Sequence, residues 1–364
     1  MEKPKYQQIA FDIKNKIINS EYQVGKLLPT EKQLQLQFKV SRHTIRQAMG
    51  ILVNEGYVIK KKGAGTYVTN TFISKNSNNE QKKIGVVVTY LSDYIFPSII
   101  RGIEKVLKEN GYSLILSSTN NNHEEERRCL EMMLDQGVQG LIIEPTKSNV
   151  FNPNLSYYSL LKKRNIPTLM INARYEELNF PSISIDDTKS GFLATTHLLE
   201  NGHKNIALIT KIDDLQGKFR MKGYIEAFDK YDILFNNENI YTYSTESKSS
   251  VIEQVVQQIK DGALNITALV CYNDQVAYTL IKKLNQIDIK IPEDLSIVGE
   301  DNSILSQLED ISLTTTSHPQ EDLGTEAANL IIQAVTSGEP IETIVLDTNI
   351  IERNSVKNIN NNID

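Results

Sequence analysis

The stretch from Leu28 to Val68, LPTEKQLQLQFKVSRHTIRQAMGILVNEGYVIKKKGAGTYV, limits what this chain can fold into more than any other part of it. Thr30 offers a hydroxyl to the free amides of a helix start, and Gln33, three residues on, completes a capping box. Pro29 stands just before that cap, where a helix could not yet have begun. Leu34 and Phe38, four apart, share one face, and Lys39 and Val40 carry a tight turn. Ser41 caps a second helix, which buries Ile45, Ala48, Met49 and Leu52 at spacings of three and four. The other face of its first two turns shows Arg42, His43, Thr44, Arg46 and Gln47. These are side chains that can read base edges when a helix enters the major groove. The pattern is a helix-turn-helix.

After Gly56 the period becomes that of strands: Tyr57-Val58-Ile59, three lysines, Gly63-Ala64-Gly65, then Thr66-Tyr67-Val68. Two β runs about a glycine turn predict a hairpin, and Lys60, Lys61 and Lys62 make it a charged wing able to lie along phosphate. Upstream, Ile9, Ile13 and Ile17 recur every four residues between Lys5 and Asn19, with Phe11 and Ile18 beside the stripe, which predicts a helix packed under the other two. LPTE, FKVSRHTIRQA, EGY and GAGTYV in this order resemble the winged helix-turn-helix of GntR-type bacterial regulators over about the first seventy residues. That resemblance implies DNA binding and adds Lys5, at the start of the first helix, as a phosphate contact. The DNA-contacting candidates are then Lys5, Glu31, Ser41, Arg42, His43, Thr44, Arg46, Gln47, Lys62, Gly63, Gly65 and Thr66.

Charge agrees. Residues 1–70 hold 12 Lys and Arg against 5 Asp and Glu, a balance of +7, whereas the whole chain carries −6, leaving −13 for everything after residue 70. A basic head on an acidic body fits nucleic-acid binding by the head alone. The 364 residues suit two or three domains. No run approaches the roughly 18 apolar residues of a membrane span, and MEKPKYQQIA has no apolar signal core, which predicts a cytoplasmic protein. Cys129 and Cys271 lie far apart in apolar-patterned segments and are expected as buried thiols. No catalytic triad, phosphate-cradling glycine loop or metal-ligand spacing is present, so no catalytic or metal residues are assigned.

From Asn70 to Lys83 the sequence is polar, asparagine-rich and aperiodic, and residues 71–82 are expected to be a flexible linker. Beyond it, strand and helix patterns alternate: strands at Lys83–Val88, Ser113–Leu116, Gly140–Ile143, Pro167–Ile171 and Ile183–Ile185, helices at Pro97–Asn110, Glu124–Gln136 and Lys189–Asn201. A second βα series opens at Asn205–Ile209. Such repeats predict a parallel sheet covered on both faces. IDDTKSGFLATTHLLENGHKNIALI, FRMKGYIEAF, ALVCYNDQVA, IPEDLSIVGEDN and LTTTSHPQEDLGTEAANLI resemble the effector domain of LacI-type regulators across residues 83–355. The implied fold is α/β, a winged helix-turn-helix joined to a two-subdomain, Rossmann-like domain of the periplasmic-binding-protein type I class. The chain would cross between its subdomains three times, hold a ligand between them, and end in a flexible tail over residues 356–364.

Ligands in open α/β sheets sit beyond the carboxyl ends of strands. Tyr94, Glu144, Asn172, Arg174, Arg220, Asn273 and Asp301 follow strands or match the family's ligand positions, and are the effector-binding candidates. Asn172 stands where LacI-type proteins usually carry Asp. Arg, Asn and Asp supply the donors and acceptors that sugar hydroxyls require. His203 reads as a structural bridge and His197 as core. A GntR-type head on a LacI-type body resembles the bacterial arabinose repressor family. That family implies a homodimer, a pseudo-palindromic double-stranded operator, no cofactor, and release from DNA when the effector L-arabinose binds. Dimer contacts are expected from the helices at Pro97–Asn110 and Glu124–Gln136. Fold does not name a ligand, and another pentose, a nucleoside or a sugar phosphate stays open.

Overall fold

Three helices and a hairpin make the N-terminal head: α1 (Lys5–Ile18), α2 (Glu31–Phe38), α3 (Arg42–Asn54), β1 (Val58–Lys61) and β2 (Gly65–Val68). This computed structural model describes residues 4–19, 21–61, 64–69, 82–91 and 94–360. Lys62 and Gly63 of the wing, linker residues 71–81 and tail residues 361–364 lie outside the described residues. The Thr30 hydroxyl accepts the Gln33 N–H at 3.3 Å while Gln33 Oε1 accepts the Thr30 N–H at 2.8 Å, so both halves of the capping box close. Lys39 turns the chain in the left-handed region (φ 52°), and Ser41 Oγ accepts the Thr44 N–H at 3.2 Å to start α3. Ile9, Ile13 and Ile17 of α1 pack with Ile45, Met49 and Leu52 of α3 to form the head's own core.

The body has two subdomains. In the first, β3 (Lys83–Val88), α4 (Phe96–Glu109), β4 (Ser113–Ser118), α5 (His123–Gln136), β5 (Gly140–Ile143), α6 (Leu155–Lys163), β6 (Thr168–Ile171) and β7 (Ser182–Ile185) alternate as the patterning predicts. The second comprises α7 (Asp187–Glu200), β8 (Ile206–Lys211), α8 (Leu215–Lys230), β9 (Ile240–Tyr243), α9 (Lys248–Lys260), β10 (Ala268–Cys271), α10 (Asp274–Asn285), β11 (Ser296–Glu300) and β12 (Thr314–Thr316). Then α11 (Gln320–Ser337) returns to pack on α4, β13 (Ile344–Leu346) pairs parallel to β7, and β14 (Ile350–Ile351) pairs antiparallel to β12. The chain therefore crosses between subdomains three times: after β7, after β12 and after β13.

Strand orders are β13-β7-β6-β5-β3-β4 and β14-β12-β11-β10-β8-β9. All pairs except β12–β14 are parallel. Central strands such as Gly140–Ile143 and Ala268–Cys271 are buried at every position, which explains their unbroken apolar runs. Residues 356–360, expected as flexible tail, lie instead along the second subdomain. The Lys357 N–H donates to Ser296 Oγ at 2.9 Å, the Ile359 N–H donates to the Asn201 carbonyl at 2.9 Å, and Val356 packs on the core around Leu198. The sequence shows no period there because backbone bonds and one apolar contact hold the segment. His203 bridges Thr267 Oγ1 (2.9 Å) and the Lys357 carbonyl (3.0 Å), the structural role expected of it.

Candidate nucleic-acid interface and ligand cleft

On the head, Arg42, His43, Arg46 and Gln47 are exposed along one side of α3, with Thr44 half-buried at its edge. Glu31 is not a free anion on this basic surface. Its carboxylate receives Arg42 Nε at 3.1 Å and lies 3.8 Å from Lys60 Nζ, tying α2, α3 and the wing. Pairs at this level of exposure contribute about 0–1 kcal/mol, so the contact matters for where Arg42 points. Gly65 has φ +103°, a conformation that favours glycine, and a β-carbon there would also stand 2.8 Å from the movable tip of the exposed Leu27 side chain. The Thr66 carbonyl accepts the Leu28 N–H at 2.8 Å, seating the hairpin on the strand-like segment before α2. Lys5 is exposed in the first turn of α1.

In the body, the carboxyl ends of β3, β5 and β6 face those of β8, β10 and β11 across a cavity of about 290 Å³. That is just under the small end of the roughly 300–1,000 Å³ typical of small-molecule sites. Tyr94, Glu144, Asn172, Arg220, Asn273 and Asp301 all line it. Glu144 Oε2 accepts from the Thr89 amide (2.9 Å) and hydroxyl (2.5 Å), and Oε1 accepts from Asn172 Nδ2 (2.9 Å). Arg220 gives Nε to Asp187 Oδ1 (2.9 Å), Nη1 to the Tyr272 carbonyl (2.6 Å) and Nη2 to Asp301 Oδ1 (2.7 Å). It is set there by α7: a β-carbon on Gly191 would fall 2.1 Å from the Arg220 carbonyl, so the two helices touch backbone to backbone. Asn273 caps α10 through Oδ1, which accepts the Val276 N–H at 3.0 Å.

Tyr94, Asn172 and Asp301 have φ of 68°, 63° and 93°, left-handed conformations that side-chain-bearing residues avoid. Strain of this kind gathers at ligand sites because it aims a side chain where a relaxed strand end would not. Several further contacts join the two subdomains at the cleft's lips. Asn121 Nδ2 donates to Thr245 Oγ1 (2.7 Å), and Ser148 Oγ accepts the Leu215 N–H (2.8 Å).

Electrostatics around Arg220 follow from burial. Three carboxyls surround one guanidinium, and not all can be charged. Burial pushes Glu300 up to about 8 against the pull of Arg220, and Asp187 to about 6, so Glu300 is the member that stays protonated near neutrality. Glu144 is also raised by burial, with the Thr89 and Asn172 hydrogen bonds opposing. His318, buried beside them, is lowered to about 4 by desolvation and is neutral. Three lining residues carry buried polar atoms with no hydrogen-bond partner among the described residues: Asn172 Oδ1, Gln216 Oε1 and His318 Nδ1.

Arg174 is not part of this lining. It is exposed and borders a shallower depression with Ser182, Ser184 and Phe219, because the chain turns outward after Asn172. The effector-binding candidates also omit four residues that line the cavity: Lys211, which pairs with Asp214 and lies 3.6 Å from Asp213, Tyr272, Gln216 and His318. Lys211 ends β8, so the strand-end rule applied to every strand finds it. Nothing local marks Gln216 or His318. Of the helices expected at a dimer contact, α4 buries Ile99, Ile103 and Leu107 within its own subdomain, and the outer side of α5 meets the head.

Among the described residues no helix is long and apolar enough to cross a membrane. A family model described as bacterial regulatory proteins of the gntR family matches residues 5–68, and one described as a periplasmic binding protein-like domain matches residues 195–356. The arabinose metabolism transcriptional repressor of Halalkalibacterium halodurans is 42% identical over 360 residues, covering 96% of this chain and 96% of that protein. Its namesake from Geobacillus stearothermophilus is 42% identical over 365 residues, covering 98% of each. The crystal structure of a LacI family transcriptional regulator from Enterococcus faecium with bound ribose matches with a TM-score of 0.66 and 26% identity, covering 76% of this chain and 100% of that one.

Proposed function

The chain belongs to the family of arabinose metabolism transcriptional repressors, and from that membership we propose that it holds a double-stranded operator through its head and releases it when L-arabinose fills the cleft. It is a DNA-binding transcriptional repressor of sugar-utilisation genes, not an enzyme. The observation that supports a sugar effector is the set of buried polar atoms on Asn172, Gln216 and His318 that are unpaired among the described residues around a small cavity. Each such atom costs about 1–3 kcal/mol unless something pairs with it, and a polyhydroxylated ligand can. Arg220 and Lys211 are each already held by carboxylates, which favours a neutral sugar over a phosphorylated one.

The effector contacts are proposed to be Tyr94, Glu144, Asn172, Arg220, Asn273 and Asp301, joined by Lys211 and Gln216. The DNA contacts are Lys5, Ser41, Arg42, His43, Thr44, Arg46, Gln47 and the wing's Lys62, Gly63, Gly65 and Thr66, with Glu31 orienting Arg42. The protein acts in the cytoplasm as a homodimer, because two heads reading a pseudo-palindrome need a two-fold partner.

Calorimetry with L-arabinose, D-ribose, D-xylose and ribose 5-phosphate tests the effector, and gel shifts on the operator with the same ligands test release. L-Arabinose is expected to bind and to release DNA while the phosphate does neither. Release by ribose 5-phosphate but not by arabinose overturns the assignment.

A further inference from the structure

One side of α1 is spoken for by the head's core, and its other side is not solvent. Phe11, Lys14, Asn15 and Ile18 fall at i, i+3, i+4 and i+7, a single helical stripe beside the isoleucines. Phe11 lies against the Arg127 guanidinium of α5, 4.5 Å from ring centroid to Cζ. Asn15 Oδ1 accepts from the Tyr157 hydroxyl of α6 at 3.2 Å. Lys14 Nζ stands 3.5 Å from Asp135 near the end of α5 and 3.4 Å from Glu55 of its own head. Ile18 packs against the apolar cluster that α5 and α6 share. With the head seated in this way, Arg42, His43, Arg46 and Gln47 remain exposed.

The seat is wired to the cleft. Tyr158, next to Tyr157 on α6, donates to buried Glu126 at 2.7 Å, and Tyr175, which also reaches Glu126, contacts the Thr146 carbonyl at 2.9 Å. Immediately after Thr146 comes the lip, where Ser148 accepts the Leu215 N–H and Asn149 Nδ2 donates to the Ile212 carbonyl (2.9 Å) across the cleft. Buried hydrogen bonds around Glu126, continued along the chain from Thr146 to Ser148 and from Tyr158 to Tyr157, thus connect the lip to the helix on which the head is seated.

We propose that the α5–α6 surface is the coupling interface of this repressor. When the cleft is shut, α1 docks there and the head takes an orientation imposed by the receptor, out of register for the operator. When the cleft opens, the seat loosens and the heads are free to engage their half-sites. The inference rests on the reading that sugar shuts the cleft, and it places the signal in a docking surface instead of the linker. Coupling of this kind requires an element with two arrangements that both ligands bias.

Two measurements on the intact protein test it. Zero-length carbodiimide cross-linking followed by mass spectrometry should give a Lys14–Asp135 amide within one chain, more abundant with L-arabinose present. Its absence in both states overturns the docking. Asp135→Lys places like charge against Lys14, and Phe11→Ala removes the contact with Arg127. Neither residue lines the cavity or the reading face, so sugar-free operator affinity should stay within about twofold of the parent, which also verifies folding. Sugar affinity of the DNA-free protein should fall by the factor that the coupling loses, because the docked seat is part of what sugar stabilises. Sugar-driven loss of operator affinity should fall at least tenfold in both variants. Variants released by sugar as fully as the parent overturn the coupling role. Failure of the unmodified protein to bind any sugar defeats the effector reading instead, and the cross-link still reports whether the head is seated.

Discussion

The Tyr94 hydroxyl lies 2.7 Å from Oδ2 of Asp301, and the other oxygen of that carboxylate receives Nη2 of Arg220 at 2.7 Å. One carboxylate therefore joins a residue of the first subdomain to the central cation of the second, across the cavity. The same hydroxyl accepts the N–H of Asp274 at 3.1 Å, so it anchors at the start of α10 as well. Closure of the two subdomains and the orientation of Arg220 are geometrically one event.

Removing that hydroxyl separates them. Tyr94→Phe should weaken L-arabinose binding by about 1.5–3 kcal/mol, the range for a hydrogen bond to a charged group, and leave operator affinity without sugar unchanged. Calorimetry reads the first quantity and fluorescence anisotropy the second. An unaltered sugar affinity would mean that the bond contributes nothing to holding the closed form.

The reading face makes an independent prediction. Arg42→Ala and Arg46→Ala should each reduce operator affinity by about 1–3 kcal/mol, the value of a bidentate base contact, with sugar binding intact. Wild-type gel shifts from both variants would remove α3 from the interface.

The wing depends on glycine at one described position. Gly65→Val meets both a φ of +103° and the Leu27 side chain, where its β-carbon would lie 2.8 Å from Cδ1. Strain of that order costs about 1–3 kcal/mol. Circular dichroism should show the head melting at lower temperature and anisotropy a weaker operator complex, while the sugar isotherm stays unchanged. Unchanged melting of the head sinks this account of the wing.

Burial of Glu300 sets the sign of a pH dependence. Its carboxyl rises from 4.5 to about 8 in the folded protein, so the folded state binds that proton more tightly than the unfolded chain. The associated stability is complete below pH about 4.5 and is lost as pH climbs through about 8. Asp187, raised to about 6, and Asp274, raised to about 7, act in the same direction. The melting temperature should therefore decline between about pH 4.5 and 8, and Glu300→Gln, neutral throughout, should flatten the decline. A variant with the parent's slope would falsify the assignment of the proton to Glu300.

The elements of the head and the alternation of the body were legible because their signals are local. A capping box needs residues three apart, a helix face repeats every three or four, and a buried strand is a short apolar run. Thr30 with Gln33, the stripe of α3 and the run Lys83–Val88 each carry their cause within one element. The rule that ligands meet strand ends likewise pointed to Glu144, Asn172, Asn273 and Asp301, which the structure brings to one cavity. It failed for Arg174, since strand-end position does not say which way the following turn faces.

By itself, then, the amino-acid sequence determined the two modules, their element order, the charge division between head and body, and most of the strand ends that meet at the cleft. The tertiary structure alone decided the rest. Which carboxyls surround Arg220, which of them keeps a proton, and why Phe11 and Ile18 are apolar all depend on contacts between residues far apart in the chain: Arg220 and Asp301 are 81 positions apart, and Asn15 and Tyr157 are 142. Helical and strand periods repeat within a few residues and can be read along the chain. Desolvation and ion pairing are properties of the neighbourhood in space, and that neighbourhood exists once three chain crossings have brought two sheets face to face.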